Sequence, residues 1–105
     1  MKLLENLKKS ISRSRYNISL HAKNEMSLKE DDISEKELIE SILGGEVIEN
    51  YTDDKPFPSC LVFGRTDEGR PIHVVCAYSK EDDVAIIITT YEPDVIRWID
   101  YRRRV

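Results

Sequence analysis

At 105 residues the chain has room for one domain with a single modest core. Its net charge of −4 argues against a dedicated duplex-DNA binder, and two cysteines supply neither a disulfide framework nor a zinc spacing. No stretch approaches the ~20 apolar residues needed to cross a bilayer, and Met1 to Leu7 lack a long hydrophobic run and a cleavage site, so one cytoplasmic domain over 1–105 is expected.

The first element is an amphipathic helix, because Leu3, Leu4, Leu7 and Ile11 recur at helical spacing with lysines between them, and it ends near Ser12. Ser19 is the expected N-cap of a second helix from Leu20 to about Lys29, which sets His21 and Glu25 one turn apart. Ser34 and Glu37 have the spacing of a capping box. Leu38, Ile39, Ile42 and Leu43 follow on one face and Gly44-Gly45 stops the third helix.

From Val47 the periodicity changes from helical to strand-like. Val47 to Tyr51 is the first strand, and Asp53 to Pro58 is a turn-rich connection that cannot continue it. Ser59 to Gly64 and Pro71 to Tyr78 form a hairpin around Thr66-Asp67-Glu68-Gly69, with Gly69 supplying the positive φ. A loop of Asp67-Glu68-Gly69 sets Cys60 directly across from Cys76, as two packed, reduced thiols. Val84 to Tyr91 is the last strand of the meander, so His73 lies between strands on both sides, facing with Val75 and Ala77 while Ile72, Val74 and Cys76 face the other way. Apolar residues on both faces say that the sheet is covered on both sides. After Glu92-Pro93-Asp94, the stripe of Val95, Ile96, Trp98 and Ile99 predicts a closing helix. The fold class is therefore α+β: N-terminal helices packed on a four-stranded antiparallel sheet, with a C-terminal helix.

Charge is distributed unevenly. Residues 1 to 24 hold six Lys/Arg against one acid, residues 25 to 94 six against eighteen, and residues 95 to 105 four against one. If the basic ends converge, Lys8, Lys9, Arg13, Arg15, Arg97, Arg102, Arg103 and Arg104 form one phosphate-attracting patch; otherwise they are solvated faces. Two histidines fifty-two positions apart show no metal-ligand spacing, and no glycine loop precedes a helix to cradle a phosphate, so neither a metal nor a cofactor is expected.

The ordered set Leu20-His21-Ala22-x-x-x-Met26, Ile33-Ser34-x-x-Glu37-Leu38-Ile39, Gly45-Glu46-Val47-Ile48, Gly64-Arg65, Gly69 to Val75 and Ile87-Ile88-Thr89-Thr90-Tyr91 resembles a bacterial and archaeal domain-of-unknown-function family. That family is similar to the RelE, MqsR and BrnT toxins, small α+β ribonucleases of the barnase/EndoU/colicin/RelE type. The resemblance implies a toxin-like endoribonuclease held silent by a cognate antitoxin, frequently one with a zinc-binding segment. Where many relatives have an arginine in the His-Ala-x-x-Arg-Met stretch, this chain has Glu25.

Metal-independent RNA cleavage needs a base for the 2′-OH proton, cations for the phosphorane and an acid for the 5′-oxygen. The candidate catalytic residues are His73 and His21 as base or acid, Arg70 as a phosphate ligand, and Tyr91 as proton donor or stacking platform. Lys23, Arg97, Arg102 and Arg103 are candidate RNA-binding cations. Each histidine also has a packing reading. The alternative function is a non-catalytic RNA- or protein-binding module of the same fold.

Overall fold

Gly69, at φ 90°, closes the turn between the two apolar runs, and the strands on either side pair antiparallel with Arg65 opposite Pro71 and Cys60 opposite Cys76. That register follows from turn length alone. The computed structural model describes residues 2–28 and 31–105. Its elements are α1 (Lys2–Ser12), β1 (Tyr16–Ile18), α2 (Leu20–Met26), α3 (Glu35–Leu43), β2 (Glu46–Tyr51), β3 (Ser59–Arg65), β4 (Pro71–Ser79), β5 (Val84–Tyr91), β6 (Trp98–Ile99) and β7 (Arg103–Arg104). The residue expected to end α2, Lys29, lies outside the described residues; the helix closes at Met26 with Ser27 as its C-cap.

The α+β class holds, with two corrections. The sheet is five-stranded and mixed, in the order β1-β5-β4-β3-β2. The expected antiparallel meander is β2 to β5, and β1 adds a parallel edge, Tyr16 opposite Ala85 and Ile18 opposite Ile87. Three residues are too few to display an alternation, which is why periodicity does not reveal β1. The second correction concerns the C-terminus: β6 and β7 form a two-stranded ribbon where a helix was expected. After one turn anchored on Asp94, the chain reverses at Asp100 and Tyr101, whose φ values are 54° and 61°. Val95, Ile96 and Ile99 are β-branched and weak helix formers, so the docking of Trp98 on the sheet outweighs their helical spacing.

All three helices lie on one face of the sheet. Strand alternation turns Cys60 and Val62 of β3, Ile72, Val74 and Cys76 of β4, and Ala85 and Ile87 of β5 toward Leu7, Ile11, Ala22, Leu38 and Ile42. Most of these side chains have no exposed surface, and burial of each large aliphatic stabilises by roughly 1.5–3 kcal/mol. The capping box forms as expected: Glu37 N–H donates to Ser34 Oγ at 3.1 Å, and Ser34 N–H to Glu37 Oε1 at 3.0 Å. Helix α3 approaches β3 so closely that a Cβ on Gly64 would stand 1.8 Å from the Ser41 carbonyl oxygen. Only glycine permits that contact.

Candidate functional site

The opposite face of the sheet bears the polar chemistry. His73 stands opposite Phe63 on β3 and Tyr91 on β5, turned away from the helices. The ribbon folds back over it, with the Trp98 ring edge-on to the imidazole at 4.5 Å and Phe63 and Tyr91 edge-on at 5.8 and 5.3 Å. His73 is completely buried.

Both ring nitrogens are engaged, and chemistry fixes their roles. A carbonyl only accepts, so Nε2 bears the hydrogen and donates to Tyr101 O at 2.6 Å. In the neutral ring Nδ1 is then an acceptor, and the Tyr91 hydroxyl donates to it at 3.2 Å. Burial favours this neutral form and holds the His73 pKa below its ordinary value, against the opposing pull of the Tyr101 carbonyl and Glu49. Burial likewise pushes the Tyr91 phenol up to about 12.

Beside this pair lies a cleft of about 680 Å3 lined by Tyr91, Ile96, Arg97, Trp98, Arg104 and Val105, together with the carboxylates Glu92 and Asp94. Arg104 stacks over Trp98, its Cζ 4.8 Å from the ring centroid, and its Nε donates to Glu49 at 2.8 Å. The Arg104 hydrogen bond holds the Glu49 carboxyl below the usual carboxylate range. Arg97 makes no side-chain hydrogen bond or ion pair among the described residues and is the uncommitted cation of the cleft.

Arg70 is placed differently. Its Nε donates to Glu92 at 2.6 Å, its Nη1 to Glu37 at 3.1 Å and to the Asp32 carbonyl at 3.0 Å, and its Nη2 to the Asp31 carbonyl. The guanidinium thus ties the N-terminus of α3 and the segment before it to the end of β5. A phosphate arriving there would have to displace these partners.

The remaining candidates do not join this site. His21 is exposed on α2, on the helical face, with Nε2 3.5 Å from Glu25 Oε1. Glu25 itself accepts from the Thr90 N–H at 3.0 Å and from the Thr89 hydroxyl, so Glu25 pins α2 to β5. Lys23 borders a separate concavity with Tyr16, Asn17 and Glu35. Arg102 pairs with Glu46 at 2.5 Å and stacks over Phe63, and Arg103 is exposed on the ribbon. The basic ends do not converge, because α1 packs on the helical face and the ribbon covers the other. From the sequence, Trp98 belongs to the apolar stripe of a closing helix and Arg104 has only a place in the basic patch. The signal available was the alternation of 98 and 104 against neighbours, legible once a ribbon replaces a helix. Among the described residues no three His, Cys, Asp or Glu side chains are grouped to hold a metal ion, and no helix is long and apolar enough to cross a membrane.

No curated protein and no solved structure is significantly similar to the chain. A family model does match, that of the domain of unknown function DUF4258, over residues 18–92. That span runs from the end of β1 to the residue after β5 and takes in His73, Arg70 and Tyr91. The chain belongs to the DUF4258 family.

Proposed function

We propose that the domain is a toxin-like, metal-independent endoribonuclease of a toxin–antitoxin pair, related to the RelE, MqsR and BrnT toxins and acting in the cleft beside Tyr91. The observation that carries this reading is the hydrogen-bonded Tyr91–His73 pair next to a cleft that holds Arg97 and Arg104. In such a reaction the 2′-oxygen attacks phosphorus, the bond to the 5′-oxygen breaks, and a 2′,3′-cyclic phosphate forms. Tyr91 is neutral at pH 7 and meets the substrate as the acid: its hydroxyl hydrogen turns from His73 Nδ1 to the departing 5′-oxygen and is transferred there, and the phenolate left behind regains a proton from water. His73, shut away from the substrate, is a positioning residue that fixes the phenol. Arg97, with no side-chain partner among the described residues, stabilises the charge on the phosphorane, and Asp94, through the carboxylate oxygen that does not accept from the Ile96 N–H, takes the 2′-OH proton.

A second reading, a non-catalytic RNA- or protein-binding module, is favoured by the burial of His73 and the full engagement of Arg70. One experiment separates them. The purified protein is incubated with a single-stranded RNA oligonucleotide in the presence of a chelator, beside Tyr91→Phe. Products ending in 2′,3′-cyclic phosphate, lost in the variant, support the enzyme. RNA bound but uncut gives the module, and RNA neither bound nor cut removes the RNA readings. Growth arrest on expression, relieved by the neighbouring open reading frame, tests the pairing with an antitoxin.

A further inference from the structure

The ribbon has an inner and an outer face, and the pairing of Trp98 with Arg104 and Ile99 with Arg103 assigns its side chains to them. Trp98 and Arg104 point inward, onto His73 and Glu49. Ile99 and Arg103 therefore point outward. The Val105 N–H donates to the Arg97 carbonyl at 3.0 Å, so Arg97 and Val105 lie side by side at the open end of the ribbon, on the rim where its outer face meets the cleft. The result is a checkerboard of two aliphatic and two cationic side chains, flanked by Ile96 and Val95. Val95, Ile96, Ile99 and Val105 are 68%, 78%, 44% and 80% exposed.

Leaving four large aliphatic side chains in water within eleven residues is costly unless something covers them. The charge beside them is also unspent. Arg102 and Arg104, which point elsewhere, are paired with Glu46 and Glu49, and the nearby acids are occupied: Glu92 by Arg70, Asp94 by the Ile96 N–H at 2.9 Å, Asp100 by Arg102. Arg97 and Arg103 have no side-chain partner among the described residues. A complementary surface is thus apolar and acidic.

We infer that the outer face of the ribbon docks an acidic amphipathic segment of a partner protein, whose aliphatic side chains cover Ile96, Ile99 and Val105 and whose carboxylates meet Arg97 and Arg103. Single-stranded RNA makes poor use of exposed aliphatics, since bases stack on aromatic rings and the one tryptophan faces inward. A second copy docked about a two-fold axis brings four cations and no free carboxylate into one interface, with nothing to neutralise them. Because Ile96, Arg97 and Val105 also line the cleft, the bound segment closes it; this consequence rests on the proposed function, whereas the docking itself does not.

The test uses the full chain and a synthetic peptide with leucines at i, i+3, i+4 and i+7 and glutamates elsewhere, labelled for anisotropy. Control peptides replace every glutamate by lysine, or every leucine by serine. The acidic amphipathic peptide is expected to bind in the micromolar range, each control at least tenfold more weakly. Ile99→Asp and Arg103→Glu, both exposed, should each lose tenfold or more at an unchanged thermal midpoint. Equal binding of the three peptides, binding indifferent to both substitutions, or no binding overturns the proposal. So does binding confined to phosphatidylserine vesicles, or self-association in sedimentation that Arg103→Glu abolishes. Peptide binding is read beside RNA cleavage by the unaltered protein: binding retained where that protein cleaves no RNA shows that the enzyme reading has failed and the surface has not.

Discussion

The Nε2 of His73 lies 2.6 Å from the carbonyl oxygen of Tyr101, and this contact couples the central strand of the sheet to the reversal of the C-terminal ribbon. A second proton on the ring would have to sit on Nδ1, where the Tyr91 hydroxyl now donates. Protonation therefore costs both burial and a hydrogen bond. The folded pKa lies below the unfolded value of 6.5, so between the two the unfolded chain binds more protons. The stability that His73 contributes is complete above about pH 6.5 and is lost as pH falls through the folded pKa. Nitrogen-15 spectra at pH 7 should show Nε2 protonated and Nδ1 bare, and His73→Phe should flatten the fall in thermal midpoint between pH 6.5 and 5. A ring that titrates at or above 6.5 would contradict the burial argument.

Arg70→Lys should destabilise the fold. A lysine keeps the charge but cannot reproduce a planar fork that serves Glu92, Glu37 and two carbonyls at once. Because Glu92 is substantially exposed, the loss is set at about 2 kcal/mol, read from urea unfolding. Stability equal to the parent, with RNA binding lost, would make Arg70 a phosphate ligand instead.

Gly64→Ala has no room. The added carbon would stand 1.8 Å from the Ser41 carbonyl oxygen, and backbone cannot step aside as a flexible side chain can. Helix α3 must shift from β3, at a cost of about 3 kcal/mol or more. Circular dichroism melts decide this, and a midpoint within a degree of the parent would show that α3 is not seated there.

Cys60 and Cys76 are both fully buried and face one another across β3 and β4. The Cys76 thiol, hydrogen-bonded to Cys60 and buried, is pushed well above its ordinary value. Neither thiol should react with a disulfide reagent in the native protein, and both should react together at the rate of global unfolding. Rapid labelling of one alone would place that strand at a mobile edge.

Binding of single-stranded RNA in the cleft should have a shallow salt dependence. Two arginines line it, so the slope of log K against log salt is expected near −1.4, about 0.7 per phosphate. A slope near −5 would require the N-terminal helix to take part, which its place on the opposite face forbids.

Much of this arrangement is written locally. The capping box at Ser34 and Glu37, the glycine at 69 and the alternation from Ile72 to Ala77 each act on near neighbours, so α3, the hairpin and the Cys60–Cys76 register can be read from sequence. The expected assembly of the site depends on distant pairings that no local pattern encodes. Arg70 looks like a free cation until Glu92 and Glu37 arrive from elements 22 and 33 residues away. His73 was expected on the face that it occupies, but what covers that face was not, because the stripe Val95, Ile96, Trp98 and Ile99 scores as a helix. The arginines at 102 and 104 decide otherwise by reaching Glu46 and Glu49.

The parallel pairing of β1 with β5 bears on how the chain assembles. The meander joins neighbours in sequence, as with Arg65 and Pro71, whereas Tyr16 meets Ala85 only after the 68 positions between them have been brought to order. Closing that loop is entropically expensive until the meander exists to receive it. β1, and with it the seating of α1, is accordingly the last part of the sheet to form. Its three residues should also be the first to exchange their amide hydrogens in the native state, opening in a step smaller than global unfolding while the β3–β4 hairpin stays protected.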